Sequence, residues 1–185
     1  MPDTTTEWTE RILQAGNTGN AEKLMPILLA YALWCESEFG NHARETLEAW
    51  QAYGEAADEH YDWPAAIAAW RKLVDVPTGD NVDPKIGWIV AQALRGLGAR
   101  KLSESPADAL AYFRRDLELR EKLNAEPFPD LTTSLDAVAT ALSQLGNDAE
   151  VRELRKRQLA LTEAALGPDH PVVATLRQRL NIKDS

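Results

Sequence analysis

Cysteine is all but absent from this chain. Cys35 stands alone, so no intramolecular disulfide can form and a reducing, cytoplasmic setting is expected. Histidine is scarce as well: His42, His60 and His170 include no His-x3-His pair, the spacing that puts two ligands on one helical face, and no metal or cofactor is expected. Long apolar runs are missing. The longest, residues 25–35, is about half of a bilayer span, and residues 1–20 show no basic start followed by an apolar stretch, so neither insertion nor secretion is expected. Positive charge is in deficit, with 20 Lys+Arg against 29 Asp+Glu. That balance argues against a nucleic-acid partner, whose binding depends on Lys and Arg displacing condensed counterions. A phosphate-binding glycine loop is absent too, since Gly96-Leu97-Gly98 sits inside a helical pattern without the Lys such a loop requires.

What the chain does have is apolar material for a core. With 185 residues, 44% hydrophobic and 26% charged, it is expected to fold without metal or disulfide support. Its acidity is unevenly spread: residues 1–80 hold 5 Lys+Arg and 14 Asp+Glu, whereas residues 81–185 hold 15 of each. The acidic half either steers a basic partner toward one end of the molecule or is a solvated surface.

Apolar residues recur at helical spacing throughout, and no alternating segment is long enough for a strand, so the fold class is all-α. Breakers at 16–19, Gly40-Asn41, Asp62-Trp63-Pro64, 77–84, 103–106, 127–129, Gly146-Asn147 and 167–171 leave about nine helices joined by short loops. The first helix is expected over 6–15, with Trp8, Ile12 and Leu13 on one face. The second is expected over 20–39, with a stripe of Leu24, Leu28, Tyr31 and Trp34, and a third begins near Ala43.

Self-similarity then appears. Residues 109–135 and 151–177 align without a gap at a spacing of 42, pairing Arg115 with Arg157, Leu117 with Leu159, Leu119 with Leu161, Glu121 with Glu163, Pro129 with Pro171 and Thr133 with Thr175. Such units cannot bury their apolar faces singly and must stack. Both prolines suit the first turn of a helix, where a missing N–H costs nothing, so each is expected to start one.

Residues 135–171, LDAVATALSQLGNDAEVRELRKRQLALTEAALGPDHP, resemble the 42-residue tetratricopeptide repeats of kinesin light chains and related bacterial proteins, most specifically in the Leu-Gly-Pro-Asp-His-Pro linker. Residues 47–78 look like the shorter form of the same motif, with Trp50, Tyr53 and Gly54 in its first cluster, Ala66 and Trp70 in its second, and Pro77 one place early. The middle hairpin, 84–124, fits through Ala109 and Phe113, while its first helix fits in more than one register. The resemblance implies a right-handed α-solenoid of antiparallel hairpins over 43–181 with a C-terminal capping helix. Residues 1–42 would form a degenerate repeat or cap, and residues 182–185 a tail.

In that family ligands lie in a concave groove lined by the first helix of each hairpin. The resemblance therefore points to Glu48, Gln51, Glu55, Asp58 and Glu59, then Thr133, Asp136, Thr140, Ser143 and Gln144, and finally Thr175, Gln178 and Arg179. The clamp for a chaperone's terminal carboxylate needs Lys and Asn where this chain has Gln51 and Glu55, and the paired asparagines of kinesin light chains become Asp136 and Ala137. The expected function is a non-catalytic protein- or peptide-binding adaptor with an N-terminally acidic groove for basic segments. The alternative for those acids is a solvated helix face.

Other clusters carry weaker expectations. Arg152, Arg155, Lys156 and Arg157, with Arg114 and Arg115, fall on second helices and would either be solvated beside Glu118 and Glu153 or meet an acidic partner or a second copy of the chain. Burial is expected for the six tryptophans, with Trp63 and Trp88 the better candidates for a binding surface. Cys35 lies in an apolar setting that predicts a buried, inert thiol. His60 reads as part of an acidic helix end, and Asp169 as the cap of the helix that starts at Pro171. Two readings from other classes stay open: a small-molecule sensor or enzyme with a tryptophan-lined pocket between the N-terminal helices and the first repeat, and a self-assembling structural module.

Overall fold

The structure, a computed structural model, describes residues 4–79, 81–123 and 127–181; the 182–185 tail lies outside them. The described residues are helical, without strands. Helices α1 (Thr5–Gly16), α2 (Ala21–Phe39), α3 (Arg44–Glu59) and α4 (Trp63–Val74) belong to one compact unit, Met1–Pro77. A second unit, Thr78–Ser185, holds α5 (Pro84–Lys101), α6 (Pro106–Lys122), a π-helical turn (Pro127–Leu131), α7 (Thr132–Gln144), α8 (Asp148–Leu166) and α9 (Pro171–Asn181).

Local chemistry sets most of the helix starts. Asp62, Asp83 and Ser105 each turn a side-chain oxygen onto the first free N–H groups of α4, α5 and α6, and each of those helices has a proline in its first turn, Pro64, Pro84 and Pro106. Asn20 and Asn147 cap α2 and α8 in the same way. The expected start at Pro129 is displaced: α7 begins at Thr132, after the π-helical turn. The Pro129 carbonyl there accepts the hydroxyls of Thr132 at 2.8 Å and Thr133 at 2.9 Å. Pro171 does open α9, but the side chain that caps it is His170, whose Nδ1 accepts from the Val172 N–H at 3.3 Å, in place of the expected Asp169.

In the first unit α2 packs on α1 and α3, and α3 on α4. Leu28, Ala32, Cys35, Leu47, Trp50, Ala57, Ala66, Trp70 and Leu73 are buried there. Each large apolar side chain so placed contributes about 1.5–3 kcal/mol. Close approach of α3 and α4 depends on Gly54: a Cβ there would lie 3.0 Å from Trp70 Nε1 and 3.1 Å from the Ala69 Cβ. Trp8 is buried as expected, but Leu13 is 59% exposed, because among the described residues α1 packs on α2 alone and cannot bury its whole stripe.

In the second unit the core gathers Ala109 and Phe113 of α6, Val138, Ala139, Ala141 and Leu142 of α7, and Val151 of α8. The register of α5 against α6 is set where Gly98 receives the Phe113 ring; a Cβ on Gly98 would overlap that ring, lying 2.6 Å from its Cδ1.

Candidate functional site

α3 carries the first set of expected ligand residues. It buries Thr46, Leu47, Ala49, Trp50, Tyr53, Gly54 and Ala57, so the 3.6-residue period turns Glu48, Gln51, Glu55, Asp58 and Glu59 to the other side. Glu55 and Glu59 are exposed there, and Glu48, Gln51 and Asp58 half-buried. Contacts along the helix help to order this face: Arg44 Nε donates to Glu48 at 2.8 Å, and Gln51 Nε2 donates to Glu55 at 2.8 Å.

The remaining expected residues lie in the second unit. Asp136 and Thr140 stand on α7 and Gln178 on α9. Thr140 donates its hydroxyl to the Asp136 carbonyl at 2.8 Å, which turns it back onto its own helix. The Asp136 carboxylate lies 3.8 Å from Arg179 Nη1, joining α7 to α9. Thr133, Ser143, Gln144, Thr175 and Gln178 are exposed.

The basic cluster is largely ion-paired. Arg114 bonds both carboxylate oxygens of Glu150, at 2.8 and 3.0 Å, Arg157 pairs with Glu121, and Lys156 with Glu153 at 2.9 Å. Pairs this exposed contribute little, about 0–1 kcal/mol each.

Of the tryptophans, Trp8, Trp50 and Trp70 are buried. Trp63 is half-buried with the Tyr61 ring against it. Trp88 departs from the expected burial at 38% exposed. It shares its side of α5 with exposed Pro84 and half-buried Gln92 and Arg95, one and two turns away.

A pocket of about 340 Å³ opens in the first unit among Glu36, Asn41, His42, Trp50, Ala68, Arg71, Lys72 and Asp75. Lys72 lines it, 5.3 Å from the Trp50 ring centre and 2.7 Å from Glu36. Beside it, Cys35 is fully buried, and burial pushes its thiol up from the ordinary value, against the opposing effect of the hydrogen bond with Tyr31. The Tyr31 hydroxyl is pushed up to about 12, by burial first, then by the contact with Cys35 and the negative charges of Glu48 and Glu45.

A buried polar centre in the second unit gave no separate signal in the sequence. Asp116 and Arg120 of α6 pair at 2.7 Å, Ser134 of α7 donates to Asp116 at 2.6 Å, and Asp130 stands 3.4 Å from Arg120. Arg95 of α5 is held below its ordinary value by burial and then by the positive charge of Arg120. Arg120 thus stands between two carboxylates, and the bond of Ser134 to Asp116 ties α6 to α7.

Among the described residues no group of three or more His, Cys, Asp or Glu side chains could hold a metal ion, and no helix is long and apolar enough to cross a membrane.

These features define an all-helical protein of packed helix pairs. Residues 131–172, spanning α7, α8 and the start of α9, match the family model of the tetratricopeptide repeat, so the chain carries a repeat of that type. No curated protein matches the chain.

Proposed function

We propose that the chain is a non-catalytic adaptor that binds a protein partner, and that the outward face of α3 selects Lys- or Arg-rich segments. The repeat over 131–172 supports a protein partner in general. The observation that carries the finer reading is the α3 face itself, where four carboxylates and one amide stand at helical spacing between residues 48 and 59. Charge complementarity of this kind fixes register and speeds encounter more than it raises affinity. Asp136, Thr140 and Gln178, on α7 and α9, are proposed as a separate set of contacts within the second unit.

The test is binding of basic, acidic and neutral peptides at two salt concentrations by the full chain and by a Glu55→Lys, Glu59→Lys variant, both positions being exposed. Salt-sensitive binding of basic peptides that the variant loses supports the proposal. Equal binding by both proteins would return the α3 acids to the role of a solvated surface.

The pocket beside Trp50 favours a second reading, a small polar ligand held among Glu36, Arg71 and Asp75. A cationic ligand there would compete with Lys72 for Glu36 and the Trp50 ring, so Lys72→Met is expected to strengthen its binding.

A further inference from the structure

Tyr61 is the one non-glycine residue with positive φ among the described residues, at 61°. It closes α3: the Asp62 N–H donates to the Ala57 carbonyl at 2.8 Å and the Tyr61 N–H to Asp58 at 3.1 Å, a closure that needs a left-handed residue between helix and exit. α7 ends on the same closure, with Asn147 donating to Leu142 at 3.0 Å and Gly146 to Ser143 at 3.2 Å, and there the left-handed residue is Gly146 at φ 75°. Glycine adopts that conformation without strain, whereas a tyrosine Cβ crowds the backbone.

The ring does little for packing in return. Tyr61 is 76% exposed, and its ring contact is edge-on to Trp63, with centres 5.3 Å apart and planes at 87°. A strained position occupied by a solvent-facing aromatic points to use of the side chain outside the fold. Its setting indicates for what: Glu55 and Glu59, both exposed, lie in the last two turns of α3, immediately before the tyrosine. A negative approach to an exposed aromatic ring suits a cation, and a planar guanidinium best, since it stacks on the ring face while keeping charge contacts at its edge.

We propose that Tyr61, held by Trp63, is the anchor for an arginine side chain of the basic segment that α3 binds. The proposal rests on the acidic-face reading above and names the contact that supplies its side-chain selectivity.

The test is fluorescence anisotropy of labelled nona-arginine with the full chain and with Tyr61→Phe, Tyr61→Gly and Tyr61→Asn, alongside the urea midpoint of each protein. Phe keeps the ring, while Gly and Asn tolerate the left-handed backbone without it. The expected result is unchanged binding for Tyr61→Phe and binding weaker by about five-fold or more for both Tyr61→Gly and Tyr61→Asn. Tyr61→Gly should unfold at an equal or higher urea concentration than the parent, so that its lost binding cannot come from lost fold. If Tyr61→Gly and Tyr61→Asn bind as the parent does while Glu55→Lys, Glu59→Lys loses the peptide, the anchor is overturned and the acidic face stands. If the parent itself does not bind nona-arginine, both fall. Equal loss in Tyr61→Phe and Tyr61→Gly would assign the contact to the hydroxyl and overturn the stacking proposal.

Discussion

Arg120 and Asp116, one helical turn apart on α6, form a 2.7 Å ion pair from which solvent is wholly excluded. Ser134 reaches from α7 to the second oxygen of Asp116 at 2.6 Å, so the carboxylate joins two helices. Among the described residues, Nη1 and Nη2 of Arg120 find no hydrogen-bond acceptor, although Nη1 lies 3.4 Å from Asp130. Loss of the carboxylate would leave the enclosed guanidinium without its 2.7 Å partner. Asp116→Ala is expected to cost about 3–5 kcal/mol, because it strands a buried cation. Replacing both, Asp116→Leu with Arg120→Met, should recover most of that. Urea unfolding followed by circular dichroism separates the cases, and a cost below about 1 kcal/mol for Asp116→Ala would mean that the guanidinium escapes to water.

Gly98 offers a sharper packing test, since its helical propensity and its surroundings pull in opposite directions. In an exposed helix interior Gly→Ala would stabilise by about 1 kcal/mol. Here the added carbon overlaps the buried Phe113 ring, so Gly98→Ala should destabilise by about 1–3 kcal/mol. Restoring space with a second change, Phe113→Leu, should make the pair less harmful than the two single effects added together. Additive effects in that cycle would show that the two sites do not touch.

These two sites also mark where sequence reading stops. The breaks before α4, α5 and α6 were legible at Pro64, Pro84 and Pro106, because proline acts within a few residues; the caps Asp62, Asp83 and Ser105 were added by the structure. The acids of α3 were singled out by the resemblance to the repeat family, which says nothing of the ion pair between Glu48 and Arg44. Asp116 and Arg120, in contrast, have the spacing of an ordinary surface ion pair, and only Ser134, eighteen residues beyond Asp116, reveals that they are enclosed. The 42-residue spacing carries these positions onto Gln158 and Thr162, also buried, where the charges are replaced by neutral groups: Gln158 donates to the Thr132 carbonyl and Thr162 to that of Gln158. The left-handed turn at Tyr61 was hidden for the opposite reason, as its residue type argues against the conformation it adopts.

Cys35 should be silent toward thiol reagents in the native protein. It has no exposed surface, and burial raises its thiol, so both access and thiolate fraction are low. Titration with an aromatic disulfide reagent is expected to count no thiol in buffer and one in denaturant, with a rate in buffer that tracks unfolding. Rapid stoichiometric reaction under native conditions would mean that α2 and α3 separate readily.

Alkaline stability should carry the signature of Tyr31. Its hydroxyl is pushed up to about 12 in the folded protein against an ordinary value of 10.0, by burial, by the contact with Cys35 and by Glu48 and Glu45. The unfolded chain therefore loses this proton first as pH rises, and the unfolded state is favoured from that point onward. The contribution of Tyr31 is fully present below about pH 10 and is lost progressively between about 10 and 12. Tyr53 is raised in the same direction, by burial and then by Asp62, so part of the alkaline loss belongs to it. In Tyr31→Phe the fall in the urea midpoint from pH 9.5 to 11.5, roughly the window between the two values, should be shallower than in the parent, and the Tyr31→Phe, Tyr53→Phe pair should be shallower still. Parallel curves for parent and variants would place the alkaline transition in the lysines, and the tyrosine hydroxyls would then titrate alike in the folded and unfolded chains.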